Sequence, residues 1–162
     1  SCTNNPFDSS IAIAPSSANH IQVTDTYLFY VDGEQLIAAD ITCVDDNTCL
    51  SARQVLGAKV VPLSLMHIGG DILAYTSYAN NPSTPTDRIV TLVDLTCIPN
   101  CQPQPIINGA VAGLLSPDGA YLMIDSIDAG MNILDVSGGS FVYLTETMGG
   151  QLGAGLTTAR WR

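Results

Sequence analysis

The chain has 162 residues, about the length of one ordinary domain, and 46% of them are hydrophobic, enough to build a core. Lys and Arg total 5 against 15 Asp and Glu, giving a formal charge of −10. A phosphate backbone or an anionic bilayer needs a basic stripe, so nucleic acid and a basic membrane-docking face are excluded. The apolar runs, such as 60–63 and 111–115, fall far short of the ~20 residues of a membrane helix.

Fourteen Gly and nine Pro punctuate short runs rich in Val, Ile, Leu and Tyr, and no capped amphipathic stretch interrupts them. The expected class is all-β. In chain order, residues 1–19 read as a polar tether ending in an apolar run at 11–14 that suits a closing strand. Three similar units follow. Each has a strand beginning at Tyr27, Ile72 or Tyr121, a turn, and a strand ending at Asp40, Asp94 or Asp135.

The starts are 45 and then 49 residues apart, and start and Asp are separated by 13, 22 and 14 residues. The middle unit is longer because of a polar insertion at 80–86, whose two prolines cannot pair in a ladder. Leading strands are expected at 20–23, 63–67 and 113–116, and trailing ones at 53–56, 105–107 and 141–144. Four antiparallel strands recurring every 40–50 residues is the spacing of a propeller blade. The shared Asp points to one structural task, bonding of nearby backbone, in all three units.

The third unit carries Ser116, Pro117, Asp118 and Gly119 before Tyr121. This resembles the Ser-Pro-Asp-Gly motif of TolB-like (PD40-type) β-propeller repeats. The resemblance implies that the motif closes the first strand of a blade and turns into the second. Pro sets φ, Asp bonds backbone two residues on, and Gly accepts positive φ. The second unit reads His-Ile-Gly-Gly at 67–70 and the first Val-Thr-Asp at 23–25, so only one copy is full.

Residues 157–162 look like the start of a further blade. The expected architecture is therefore a tether at 1–19 and a partial propeller at 20–162. Its blades are at about 20–58, 59–109 and 110–156, and the ring is completed by more of the same polypeptide or by another chain.

Cys43 with Cys49, and Cys97 with Cys101, bracket the loop after the third strand of their units, so two local disulfides and an oxidising compartment are expected. The rival zinc reading fits these spacings poorly. Cys2, followed by a polar run, looks like the lipid-bearing cysteine of a bacterial lipoprotein, although Ser1 precedes it; the bland alternative is an inert or intermolecular thiol in a tail.

No Gly-x-Ser-x-Gly, Walker loop or Gly-x-Gly-x-x-Gly occurs, and His20 and His67 stand beside no nucleophile. No catalytic residue, cofactor or metal is expected. The Asp-rich turns at 45–47 and at Asp125 and Asp128 lack the spacing of a calcium loop and read as turn formers. Tyr78, Asn80, Asn81 and Asp87 mark the one loop longer than its scaffold needs, a candidate binding loop. The resemblance implies a non-enzymatic, protein-binding propeller of the periplasm or cell surface, a subunit of a larger assembly. The alternative is the propeller portion of a prolyl-oligopeptidase-like hydrolase whose catalytic domain lies beyond residue 162.

Overall fold

A computed structural model of the protein describes residues 14–44 and 53–136, without 63, 65 and 129 and without the side chains of 43 and 44. The described part is all-β, built as three antiparallel sheets in which every strand pairs with its neighbour in sequence. Sheet 1 holds β1 (Asn19–Val23), β2 (Tyr27–Asp32), β3 (Gln35–Asp40) and β4 (Arg53–Gly57). Sheet 2 holds β5 (His67–Gly69), β6 (Ile72–Tyr78), β7 (Arg88–Asp94) and β8 (Gln104–Asn108). In sheet 3 are β9 (Ala110–Leu115), β10 (Tyr121–Ser126) and β11 (Gly130–Asp135). No helix among the described residues is long and apolar enough to cross a membrane.

The register reproduces the sequence repeat. Tyr27 pairs with Asp40, Ile72 with Asp94, and Tyr121 with Asp135. The residue after each Asp closes the same backbone bond. Ile41, Leu95 and Val136 donate N–H to the carbonyls of Thr26, Asp71 and Ala120 at 2.9, 2.7 and 2.7 Å. Matching side-chain periodicity in the sequence therefore becomes matching main-chain geometry in space.

The first leading strand lies where expected, at Asn19–Val23, while the second and third begin elsewhere, at His67 and Ala110. Each pairing of a first strand with its second is broken near the middle. The register shifts between Asn19 and Gln22, where His20 has φ 51°, and again between Leu122 and Ile124 opposite β9. In sheet 2 the break is wider: Val60 bridges Ser77, the chain then leaves the sheet, and pairing resumes only at His67. Of the strand expected at 63–67, His67 begins β5, while 63 and 65 lie outside the described residues. The strand expected at 141–144, the tether at 1–13 and the segment 157–162 lie outside the described residues.

The sheets stack face to face in chain order, which explains why β6 and β7 read as continuous apolar runs. Leu73, Tyr75 and Val93 of sheet 2 pack with Phe29, Val31, Leu36, Ala38 and Leu56 of sheet 1. Their alternates Ala74, Val90 and Leu92 pack with Ala110, Ala112, Leu115, Leu122, Ile124 and Leu134 of sheet 3. Successive side chains on a strand point to opposite faces, so the middle sheet has no face left for solvent. Each fully buried Leu, Val or Phe contributes about 1.5–3 kcal/mol of transfer free energy.

One buried hydroxyl crosses the second interface: Thr76 Oγ1 accepts the N–H of Ala112 at 2.9 Å. The far face of sheet 1 is built differently. Tyr30, Ile37 and Ala39 are buried at its centre. Val23 and Val55, paired with Leu28 and Ile37 and so on the same face, are 66% and 58% exposed.

Candidate functional site

The end of the stack where the second strands begin is strongly acidic. Asp25, Asp71 and Asp118 stand in the turns from first to second strand, and Asp40, Asp94 and Asp135 end the third strands opposite. Among described residues, Arg53, facing Ala39 at the start of β4, is the basic side chain that register brings to this end.

Several of these carboxylates are used locally. Asp40 Oδ1 accepts the N–H and the hydroxyl of Thr42 at 2.8 and 2.6 Å, and Asp94 Oδ1 accepts the same two groups of Thr96 at 2.9 and 2.6 Å. Each caps a 3₁₀ helix, Ile41–Val44 or Leu95–Cys97. The shared structural task expected of the repeated Asp is therefore seen in two units; Asp135 is also engaged. The hydroxyl and then the amide of Thr96 hold the Asp94 carboxyl below its ordinary value.

The Ser116, Pro117, Asp118, Gly119 turn is braced in the same way. Asp118 Oδ1 accepts from the Ser116 hydroxyl at 2.6 Å and the Ala120 amide at 3.0 Å, and Ser116 Oγ accepts the Tyr121 amide at 2.9 Å. These bonds, Ser116 first, lower the Asp118 carboxyl. Thr24 does for β2 what Ser116 does for β10, taking the Tyr27 amide at 3.1 Å.

Between the β1–β2 and β5–β6 turns lies an opening of about 290 Å³, lined by Thr24, Asp25, Thr26, Tyr27, Phe29, Gly70, Asp71 and Leu95. Neither Asp25 nor Asp71 has a side-chain partner among the described residues, unlike the carboxylates that cap. Sequence reading missed this place because its walls come from positions about 45 residues apart that face each other only after two sheets stack. The signal was present, since Asp71 directly precedes the start of a second strand and Asp25 lies two residues before one.

The candidate binding loop is more tightly built than its composition suggests. Tyr78 closes β6 and is buried, its hydroxyl bonded to the Glu34 carboxylate of the β2–β3 turn; that bond raises the phenol above its ordinary range. Lys59 Nζ sits 5.9 Å from the Tyr78 ring centroid and donates to Ala79 O at 2.6 Å. Asp87 clips the ends of the loop together, its carbonyl accepting from Ala79 at 2.8 Å and its Oδ2 from the Asn81 amide at 3.0 Å. Asn81 Oδ1 takes the Ser83 amide at 2.9 Å, leaving Asn80 as the exposed member without such a task. Tyr78 is thus an anchor between sheets 1 and 2.

Cys97 and Cys101 are free thiols that share one acceptor, the carbonyl of Asp94, at 2.6 and 3.1 Å. The disulfide expected between them is not formed in this structure. Burial, then the neighbouring Cys97, pushes the Cys101 thiol up to about 12. Cys49, the side chain of Cys43, Cys2 and the turn at 45–47 lie outside the described residues. His67 is half-buried on β5; its Nε2 has no hydrogen-bond partner, and burial lowers its basicity. Among the described residues no three His, Cys, Asp or Glu converge to hold a metal. No protein-family model matches the chain, and no curated protein is detectably similar to it.

Proposed function

We propose that the three sheets are successive blades of a TolB-like β-propeller that serves as a non-enzymatic, protein-binding scaffold of a secreted or envelope protein. The carrying observation is the unfinished outer face of sheet 1. Val23 stays exposed beside a buried centre, although its counterparts Ile68 and Leu115 in sheets 2 and 3 pack against a neighbouring sheet; Val55 is exposed on the same face. Propellers take 4–8 blades, and ring closure removes such faces and edges. The remaining blades would come from further polypeptide, of this chain or another. The acidic end presents the turns, where a rigid scaffold displays recognition residues.

An oxidising location is part of the same reading; there Cys97 and Cys101, which share the Asp94 carbonyl as acceptor, would form a disulfide. The lipid on Cys2 belongs to the same reading and rests on the sequence alone. Mild extraction from the membrane fraction of the source organism, followed by native mass measurement, tests the scaffold. A stoichiometric complex with a second protein is expected. A monomer that hydrolyses peptides or esters would overturn the reading.

A further inference from the structure

We infer that the opening between the β1–β2 and β5–β6 turns binds an organic cation, a guanidinium or alkylammonium group the size of an arginine or lysine side-chain end. Asp25 and Asp71 line it from opposite sheets, and among the described residues at this end they are the two carboxylates without a side-chain partner. Tyr27 supplies aromatic wall and Leu95 an aliphatic one, with the buried Phe29 beneath them. Carboxylates beside aromatic faces recognise a cation that carries hydrocarbon, through charge and through the ring quadrupole. A bare divalent ion prefers six or more oxygens close around it, and an opening of 290 Å³ with two carboxylates does not offer that.

The molecule contains its own comparison. At the corresponding place between sheets 2 and 3, the longer β9–β10 turn reaches its neighbour. There the Gly70 amide donates to Pro117 O at 2.8 Å, and Gly69 and Gly119 pack so closely that a Cβ on either would lie within 2.5 Å of the other turn's carbonyl oxygen. Between sheets 1 and 2 the facing turn is only Gly70 and Asp71, too short to reach Thr24 and Tyr27. The junction stays open, and its two acids stay unpaired. The field of a chain with charge −10 draws a cation toward it.

This inference rests on the scaffold reading only for where the cation comes from. The test is an NMR titration of the 162-residue chain with two probes, a capped pentapeptide with arginine at its centre and free agmatine. Saturable shifts of the Tyr27 ring resonances are expected, with Kd weakened at least tenfold by joint Asp25→Asn and Asp71→Asn substitution. Asp118→Asn, at the closed junction, leaves Kd unchanged. Thermal unfolding of each variant checks that it is folded. Tighter binding of the peptide assigns the cation to a protein partner. Binding of agmatine as tight or tighter assigns it to a free small amine, which keeps the cavity's role and removes this end from the scaffold reading. No saturable shift with either probe, or an equal loss from Asp118→Asn, overturns the inference.

Discussion

Asp40 and Asp94 show how one side chain sets the end of a repeat. Placed at the last position of a third strand, each takes the amide two residues on and the hydroxyl of the same Thr, which turns the chain out of the sheet. Because bonds from Thr96 hold the Asp94 carboxyl below 3.8, its stabilisation is present above that value and is lost as pH falls through the lower folded value. Asp94→Asn should therefore lower stability by about 1 kcal/mol or less at pH 7, the discount reflecting solvent exposure. Urea melts at pH 7 and pH 3 check this. The gap between variant and parent should narrow as the pH falls to 3, and an unchanged gap would show that the charge plays no part. This role was legible in the sequence, because the Asp recurs with Thr two positions later in the first two units.

Elements meet through glycines whose importance the sequence did not announce. A Cβ on Gly69 would lie 1.9 Å from the Ser116 carbonyl oxygen, a backbone atom that cannot swing aside. At Gly33, in the β2–β3 turn, nothing lies within 4 Å and only φ 61° resists a side chain. Gly69→Ala should cost roughly 3 kcal/mol through overpacking, and Gly33→Ala about 1 kcal/mol through left-handed strain. Thermal unfolding separates the two, and equal losses would contradict the close packing of the sheet 2 and sheet 3 turns.

What was legible at this scale was local: strand alternation, the Ser116 to Gly119 turn, and the trailing strands expected at 53–56 and 105–107 and found at Arg53–Gly57 and Gln104–Asn108. What was not legible depended on a second sheet. The break before His67 is hidden because Val60 and Met66, apolar in the sequence as strand residues would be, join the core between sheets without forming one strand. Tyr78 looks like part of the loop by adjacency to it, yet it is buried because the ladder runs on to pair it with Arg88. The shared acceptor of Cys97 and Cys101 has its own consequence. Exchange with a small-molecule disulfide, such as glutathione disulfide, should convert the two thiols to one bridge and release two glutathione thiols. A five-residue loop gives about 2 kcal/mol of stabilisation on the chain-entropy account. Unfolding with and without reductant measures it; a lasting mixed disulfide on Cys97, with no bridge to Cys101, would contradict the pairing.

Over the whole molecule, three meanders with equivalent registers lie one on another, and the middle one is covered on both faces. Such an arrangement has no internal reason to stop at sheet 1, whose outer face keeps Val23 and Val55 in solvent. The acidic end and the opening beside Tyr27 follow from the same stacking, since it brings equivalent turns to one side. The central claim is that these sheets are blades of a larger envelope propeller. Its most direct test is the intact and native mass of the protein purified from the membrane fraction of its source, with and without reduction. The account predicts a polypeptide well above 17.0 kDa, or a 17.0 kDa chain inseparable from a second one, with Cys97 and Cys101 oxidised and a lipid on Cys2. A monomer of 17.0 kDa, unlipidated and with free thiols, would contradict it.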